Sequence, residues 1–94
     1  MFDRAEIDII IERIEKMELY FDSVKSAVDI NPKDVFENKI ISEMYYKLID
    51  YYENGQWLKD YEYDERGKLP TDLKRGVLSQ DAVYNLLAEI NNKA

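Results

Sequence analysis

The stretch from residue 34 to residue 57, DVFENKIISEMYYKLIDYYENGQW, carries apolar side chains on more than one face of a helix. Nine of them recur at steps of three and four: Val35, Phe36, Ile40, Ile41, Met44, Tyr45, Leu48, Ile49 and Tyr52. Tyr46, Tyr51 and Trp57 fall outside this stripe. A helix with apolar residues on several faces needs neighbours on both sides. We therefore predict a central helix, from Pro32 to Asn54, around which the rest of the chain packs.

The residues before this stretch predict a first long helix over 4–29. Its apolar residues alternate at steps of three and four, as in a coiled-coil seam: Ile7, Ile10, Ile14, Met17, Phe21, Val24 and Val28. Asp3 and Glu6 form a capping-box pattern, and Phe2 with Ile7 forms a hydrophobic staple. The seam favours packing inside the chain, and a coiled-coil homodimer is the alternative.

Pro32 restricts the residue before it to extended geometry, so the first helix ends at the segment Asp29-Ile30-Asn31. Asn31 is then placed to cap the next helix, with Pro32 at its first position. The two helices would be about 39 and 35 Å long at 1.5 Å per residue. Matched lengths and a short turn predict an antiparallel helical hairpin.

Two shorter helices are predicted after the hairpin. Asn54-Gly55 ends the central helix, and the next one, with Trp57, Leu58 and Tyr61 on one face, runs to Gly67. A small β-hairpin is the alternative, because Tyr61 and Tyr63 alternate with acidic residues. Beyond a Leu69-Pro70 linker, residues 71–75 can form one turn stopped by Gly76. Ser79 caps a final helix with a buried face of Val83, Leu86, Leu87 and Ile90.

These elements predict an all-α fold. We expect a four-helix, mostly antiparallel bundle with a long N-terminal helical hairpin and two shorter C-terminal helices. A chain of 94 residues makes a single domain, residues 1–94, with room for one hydrophobic core.

The composition limits the chemistry. The chain has no Cys and no His, so it lacks disulfides, thiolate ligands and the side chain most used for proton transfer near neutral pH. No phosphate-binding glycine loop or nucleophile motif is present. The acidic series Asp60, Glu62, Asp64, Glu65 resembles the start of an EF-hand loop, but Glu65 stands where that loop needs glycine and Thr71 where it needs glutamate. We therefore predict a non-enzyme with no cofactor and no metal site.

The charge and hydropathy predict an intracellular protein. No apolar run approaches the roughly 20 residues that span a bilayer, and the first residues are acidic where a signal peptide is basic. The net charge is −7, which repels phosphates, so we expect no direct binding of nucleic acid or membrane surfaces. A partner is expected to be another protein, and a basic one suits the charge. We favour a monomer over a homodimer through the seam of the first helix.

Aromatic residues are concentrated in one part of the chain: seven of the twelve lie within residues 45–63. Adjacent pairs such as Tyr45-Tyr46 differ by 100° around a helix, so one buried stripe cannot hold every ring. They either bridge helices at the edge of the core or form a protein-binding surface with acidic neighbours. The candidate partner-binding residues are Tyr51, Tyr52, Trp57, Asp60, Tyr61 and Glu62.

A basic cluster follows this acidic stretch and interrupts the otherwise negative chain. It consists of Arg66, Lys68, Lys74 and Arg75, broken by Asp72. A phosphate site is one interpretation. In so acidic a protein we favour ion pairs with neighbouring carboxylates.

Two C-terminal segments resemble a known family. WLKDYEYDERGKLP, residues 57–70, and LKRGVLSQDAVYNLL, residues 73–87, are similar to a family of small proteins known only as a domain of unknown function and found largely in low-GC Gram-positive bacteria. The resemblance covers roughly residues 44–87. It implies a stand-alone bacterial helical protein with no assigned activity, and no catalytic residue is carried over. It also implies that one structural unit contains Trp57, Asp60, Gly67, Pro70, Gly76 and Asp81.

Three functions are compatible with these features. The first is a non-enzymatic protein-interaction or regulatory module that uses the aromatic and acidic surface. The second is an acidic inhibitor, of the antitoxin, immunity or nucleic-acid-mimic type, that blocks a basic enzyme. The third is a carboxylate-based enzyme or ligand-binding protein, which needs a pocket with a perturbed Asp or Glu.

Overall fold

The computed structural model describes residues 4–93, and every regular element in that range is helical. This confirms the all-α class, with a long N-terminal helix and shorter C-terminal helices. The proposed Asp3 cap and Phe2 staple lie outside the described residues. The elements are α1 (Arg4–Ile30), α2 (Asp34–Glu37), α3 (Lys39–Glu53), α4 (Gln56–Glu65), a 3₁₀ turn (Gly76–Leu78) and α5 (Gln80–Lys93).

Helix α1 forms the long axis of the molecule. Its 27 residues span about 40 Å, close to the 45 Å length of a particle that is 24 by 23 Å across. Helices α2, α3 and α5 and the 3₁₀ turn all contact it. The chain therefore packs along α1. The predicted helix over residues 32–54 has neighbours on both sides, because α3 contacts α1, α2 and α4, but it is not the sole centre of the fold.

The seam of α1 explains why that helix is central. Five of its seven residues are buried within this one chain, and the other two, Ile7 and Met17, are half-buried: the buried members are Ile10, Ile14, Phe21, Val24 and Val28. Burying side chains of this size contributes about 1.5 to 3 kcal/mol each. The seam is covered by the chain's own helices, as the intramolecular interpretation predicts.

Helices α1 and α3 form the expected antiparallel pair. Lys47 of α3 lies over the Tyr20 ring, with 5.9 Å from Nζ to the ring centroid. Further along α3, Tyr51 approaches Arg13 through a shared partner, Asp60. As residue numbers rise from 47 to 51 along α3, the neighbouring residue numbers on α1 fall from 20 to 13, so the two helices are antiparallel. Helix α4 also runs antiparallel to α1, because the Tyr63 hydroxyl donates to Glu6 Oε1 at 2.8 Å.

The helix predicted over residues 32–54 is interrupted at Asn38. This residue is extended, with φ −90° and ψ 116°, and its side-chain oxygen accepts hydrogen bonds from the amides of Ile40 and Ile41 at 3.0 and 3.2 Å. Asn is a favoured N-cap because its short side chain replaces missing backbone acceptors. The result is a one-turn α2 followed by α3, so the hairpin has a bent second arm.

The break at Asn38 changes which residues face the core. Phe36 and Ile40, expected in the buried stripe, are exposed. The Phe36 ring contacts Tyr45 edge-on, with centroids 5.9 Å apart. Tyr51, which the stripe excluded, is one of the most buried side chains of the protein. A hydrogen-bond partner on α4 permits that burial, as described below.

The C-terminal part agrees with prediction in its helices and differs in its connection. Residues 56–65 form the helix α4, and the β-hairpin alternative is wrong. Ser79 Oγ accepts from the Ala82 amide at 3.3 Å and caps α5, whose core residues are Val83, Leu86 and Ile90. The helical turn expected over 71–75 is absent from this described segment. The 3₁₀ turn begins directly after it, at Gly76.

Residues 67–79, which we call the strap, cross α1 on the way from α4 to α5. The Val77 peptide is held from both sides: its amide donates to Glu18 Oε2 at 2.7 Å, and its carbonyl accepts from Trp57 Nε1 at 2.9 Å. All three residues are buried. These bonds attach the strap to α1 and α4 at one point, where buried polar groups need partners.

Gly76 allows the Glu18 carboxylate to reach the strap. A Cβ at residue 76 would lie 2.7 Å from Glu18 Oε1. We expect Gly76→Ala to lower the free energy of unfolding by about 1 to 3 kcal/mol, since the added methyl displaces a buried carboxylate. Chemical denaturation measures this. In a Glu18→Ala background the Gly76→Ala cost should shrink, and an unchanged cost would show that the contact is not the cause.

Candidate protein-binding site

Asp60 is the polar centre of the candidate region. It is fully buried, and both carboxylate oxygens are bonded. Arg13 of α1 donates from Nε to Oδ2 at 2.9 Å and from Nη2 to Oδ1, in a two-point ion pair. The Tyr51 hydroxyl of α3 donates to Oδ2 at 2.7 Å. One carboxylate on α4 thus joins three helices.

Helical spacing brings these three groups together. Asp60 follows Trp57 by three residues, so both lie on the inward face of α4. Arg13 is next to the buried Ile14 on the flank of the α1 seam, which lets its aliphatic stem lie on the core while its head reaches Asp60. Tyr51 follows the buried Leu48 by three residues on α3.

The protonation states follow from burial and hydrogen bonding. The hydrogen bond to Asp60 raises the pKa of Arg13, so its charge is permanent. Burial raises the pKa of Tyr51, and the bond to Asp60 adds to this, so the phenol stays protonated and acts as a donor. Every strong hydrogen bond of the cluster is internal, which suits a structural role for it.

An aromatic stack lies outside the polar cluster. Trp57 stacks on Tyr61, with centroids 5.1 Å apart and planes inclined by 19°, and contacts Tyr52 at 5.2 Å on a tilted plane. Trp57 is buried, whereas Tyr52 and Tyr61 are half-buried. The Glu65 carboxylate one turn further along α4 raises the pKa of Tyr61. Trp57, at the centre of the stack, is therefore buried, and Tyr52 and Tyr61 at its two sides are partly exposed to solvent.

The outward side of α4 continues this surface. Leu58 is 52% exposed, and Glu62 is also exposed. We call the surface formed by Tyr52, Leu58, Tyr61 and Glu62 the aromatic face. Glu53 and Glu65 lie at its edge by their helical positions, and both are exposed.

The structure divides the six residues predicted to bind a partner. Tyr52, Tyr61 and Glu62 lie on the aromatic face. Tyr51, Trp57 and Asp60 are buried, which corrects their assignment to an outward surface. They support the surface from beneath, because their hydroxyl, indole and carboxylate groups are all bonded inside the protein.

Sequence reasoning missed two participants. Leu58 was expected on one face of its helix with Trp57 and Tyr61, although it lies 100° from Trp57 around the helix. Arg13 was not identified, although its position one residue before Ile14 was a usable signal. A partner 47 residues away is not visible in local spacing.

The basic cluster is used in part for internal ion pairs, as predicted. Arg75 Nε donates to Asp64 Oδ1 at 3.0 Å, and Lys74 Nζ to Asp22 Oδ2 at 2.6 Å. Arg75 also donates to the carbonyls of Pro70 and Thr71 and so holds the bend of the strap. The Asp22 bond raises the pKa of Lys74.

Other site types find little support in residues 4–93. Their acidic side chains form no group of three that could hold a metal ion, and the EF-hand-like series from Asp60 to Glu65 belongs to α4. The helices described are all too short or too polar to cross a membrane. Surface depressions are shallow, such as one of about 280 Å³ between α1 and α5 near Phe21 and Leu86.

Comparison with protein families gives one match. The family model described as Domain of unknown function (DUF4298) matches residues 14–94. The chain belongs to this family. Searches of curated proteins and of solved structures returned no match.

The DUF4298 match starts at the middle of the α1 seam and includes the whole strap. Within it, the residues expected from the resemblance to form one unit are largely together. Trp57 bonds to the strap, Asp60 lies below it in the core, and Gly76 faces Glu18. Asp81 differs, because it is exposed in the first turn of α5.

Replacing Arg13 tests the polar cluster. Arg13→Met leaves a buried carboxylate without its cation, and we expect the free energy of unfolding to fall by about 3 kcal/mol. The double variant Arg13→Met, Asp60→Leu should recover much of this loss. Lys74→Met, which breaks an exposed ion pair, is the control and should cost less than about 1 kcal/mol. Equal losses for Arg13→Met and Lys74→Met would contradict a buried, uncompensated charge.

Tyr51 predicts a loss of stability at high pH. Its pKa is raised above the ordinary value of 10.0 in the folded protein. The contribution of Tyr51 to the free energy of unfolding is therefore complete below pH 10. It declines as the pH rises further, by up to about 1.4 kcal/mol per pH unit. Urea unfolding at about pH 8 and about pH 11 measures the slope. Tyr51→Phe should reduce this slope. Part of the slope should remain, because burial also raises the pKa of Tyr45.

Proposed function

We propose that this DUF4298 chain is a small bacterial cytoplasmic protein-interaction module without enzymatic activity, and that it binds its partner through the aromatic face. The observation that carries the proposal is the exposed Leu58 beside the Tyr52–Trp57–Tyr61 stack, bordered by carboxylates. Tyr and Trp are enriched where protein interfaces bury most energy. An apolar centre with a polar rim is the usual arrangement of such interfaces.

The rigidity of the face supports this role. Trp57 is fixed by its bond to Val77, and Tyr61 by stacking on Trp57. Side chains already ordered in the free protein lose less conformational entropy on binding. The buried cluster of Asp60, Arg13 and Tyr51 beneath them therefore helps to keep the surface ordered before a partner binds.

The carboxylate chemistry gives less support to an enzyme. Asp60 and Glu18 are the two buried carboxylates among the described residues. Asp60 is occupied by Arg13 and Tyr51, and Glu18 by the Val77 amide. Asp60 has both oxygens bonded, and Glu18, which lines a depression of about 240 Å³, has one oxygen held by the Val77 amide, whereas a carboxylate acid or base needs to be free in its pocket.

Capture from an extract of the source organism tests the proposal. We expect a partner retained by the wild type to be lost by a Leu58→Ser, Tyr61→Ser variant, because both substitutions remove apolar contact area from the face. Leu19→Ser is the matched control, since Leu19 on α1 is 60% exposed and lies elsewhere. Buried Tyr51 and Trp57 are unsuitable for this test because their loss disturbs the core.

The result is interpretable only if all variants fold. Circular dichroism and urea unfolding should give similar helicity and stability for the wild type, the face variant and Leu19→Ser. A partner captured equally by all three proteins would place the binding surface elsewhere and contradict the proposal.

A second candidate function is an acidic inhibitor of a basic enzyme, and one surface favours it. The outer side of α1 carries carboxylates at helical steps over about 32 Å, with no Lys or Arg among positions 8, 12, 15, 19, 22, 26 and 29. These carboxylates belong to Asp8, Glu12, Glu15, Asp22 and Asp29, of which Asp22 is paired with Lys74 of the strap.

The two candidates differ in their response to salt. An inhibitor that relies on this acidic side should associate with its target at least tenfold more slowly when salt rises from about 50 to about 300 mM. Stopped-flow mixing with the captured partner measures the rate. Glu12→Gln with Glu15→Gln should slow it, whereas a salt-insensitive rate would exclude this reading.

A further inference from the structure

The exposed ridge of α4 is the part of the aromatic face with the most regular geometry. Leu58, Tyr61, Glu62 and Glu65 follow the i, i+3, i+4, i+7 spacing, so they form one line of side chains over two helical turns. Within residues 4–93, the opposite side of α4 contacts α3 and the 3₁₀ turn. Ridges of this kind pack into the groove between the ridges of a second helix.

The apolar part of the ridge has a defined centre. Leu58 is 52% exposed and its neighbour Tyr61 presents one ring edge, while the opposite face of that ring is taken by Trp57. Tyr52 extends the apolar area toward α3. A partner side chain that fills the space between Leu58 and Tyr61 must itself be apolar.

The charges around this centre are mainly acidic, although the exposed Lys59 lies beside Glu62 on α4 and the exposed Arg66 lies at the C-terminal end of that helix. Glu53 and Glu62 are exposed, and neither forms an ion pair with any residue of the described part of the chain. Glu65 is also exposed, and its carboxylate raises the pKa of the neighbouring Tyr61. Glu62 and Glu65 are three residues apart on α4, so they would meet cations spaced by about one helical turn.

We infer that the aromatic face binds a basic amphipathic helix of a partner protein. The apolar stripe of that helix contacts Leu58 and Tyr61, and its Lys or Arg side chains pair with Glu53, Glu62 and Glu65. This inference rests on the proposed function and adds the chemistry of the partner. In such helix–helix packing the ridge of α4 lies in a groove of the partner helix, and both helices contribute side chains at helical spacing.

An unbiased peptide selection tests the inference. A displayed library of random peptides of about 16 residues, roughly 24 Å as a helix, is selected on the wild type and counter-selected on a Leu58→Ser, Glu62→Lys variant. We expect enriched sequences with apolar residues at helical spacing and Lys or Arg one turn apart. Enriched peptides that are acidic, proline-rich or strand-like would overturn the inference, as would a failure to enrich any peptide for the wild type.

Synthetic versions of the enriched peptides give the quantitative test. Trp57 is the single tryptophan, so its fluorescence reports binding at the face. We expect the peptide to gain helicity on binding, the Leu58→Ser, Glu62→Lys variant to bind at least about tenfold more weakly, and Leu19→Ser to bind like the wild type. Equal binding by all three proteins, or by a scrambled peptide of the same charge, would reject a specific helix site.

The two proposals can fail separately. If the partner captured from an extract depends on Leu58 and Tyr61 but contacts them with an extended or acidic segment, the proposed function stands and the helix inference is wrong. If neither the captured partner nor any peptide responds to substitutions in the face, both are wrong.

Discussion

A single buried carboxylate determines how the helices of this protein meet. The buried carboxylate of Asp60 needs hydrogen-bond partners, and these, Arg13 and Tyr51, come from two other helices. Buried ion pairs contribute little net stability against an apolar alternative, but removing one partner is costly. The cluster therefore disfavours arrangements in which α4 is rotated or shifted along α1.

The strap shows the same requirement in its backbone. An irregular segment that crosses a core must find partners for its peptide groups, and Val77 finds them in a carboxylate of α1 and the indole of α4. Trp57 thus belongs to both the strap attachment and the aromatic stack. This shared role ties the order of the aromatic face to the packing of the chain below it, which is a favourable property for a binding surface.

The aromatic residues of positions 45–63 divide into core residues and surface residues, and sequence spacing alone could not separate the two. Tyr51 and Tyr52 are adjacent in sequence, yet one is buried against a carboxylate and the other borders solvent. The burial of Tyr51 is favoured because its hydroxyl has a partner, and that partner lies on the next helix. The exposed remainder, together with Leu58 and unpaired glutamates, is what the proposed interaction uses.

The sequence by itself determined the helical class, the seam of α1, the helix ends at Gly55 and Gly67, the Ser79 cap and the absence of Cys and His chemistry, because these depend on local spacing and on residue type. Only the tertiary structure decided that α1 is the axis, that Asn38 breaks the second long helix, and that Arg13, Tyr51 and Asp60 meet. These features depend on contacts between distant residues. Asn is tolerated within helices and favoured at caps, so its neighbours in space select between the two. Burial of Tyr51 and Asp60 likewise depends on partners that no local pattern specifies.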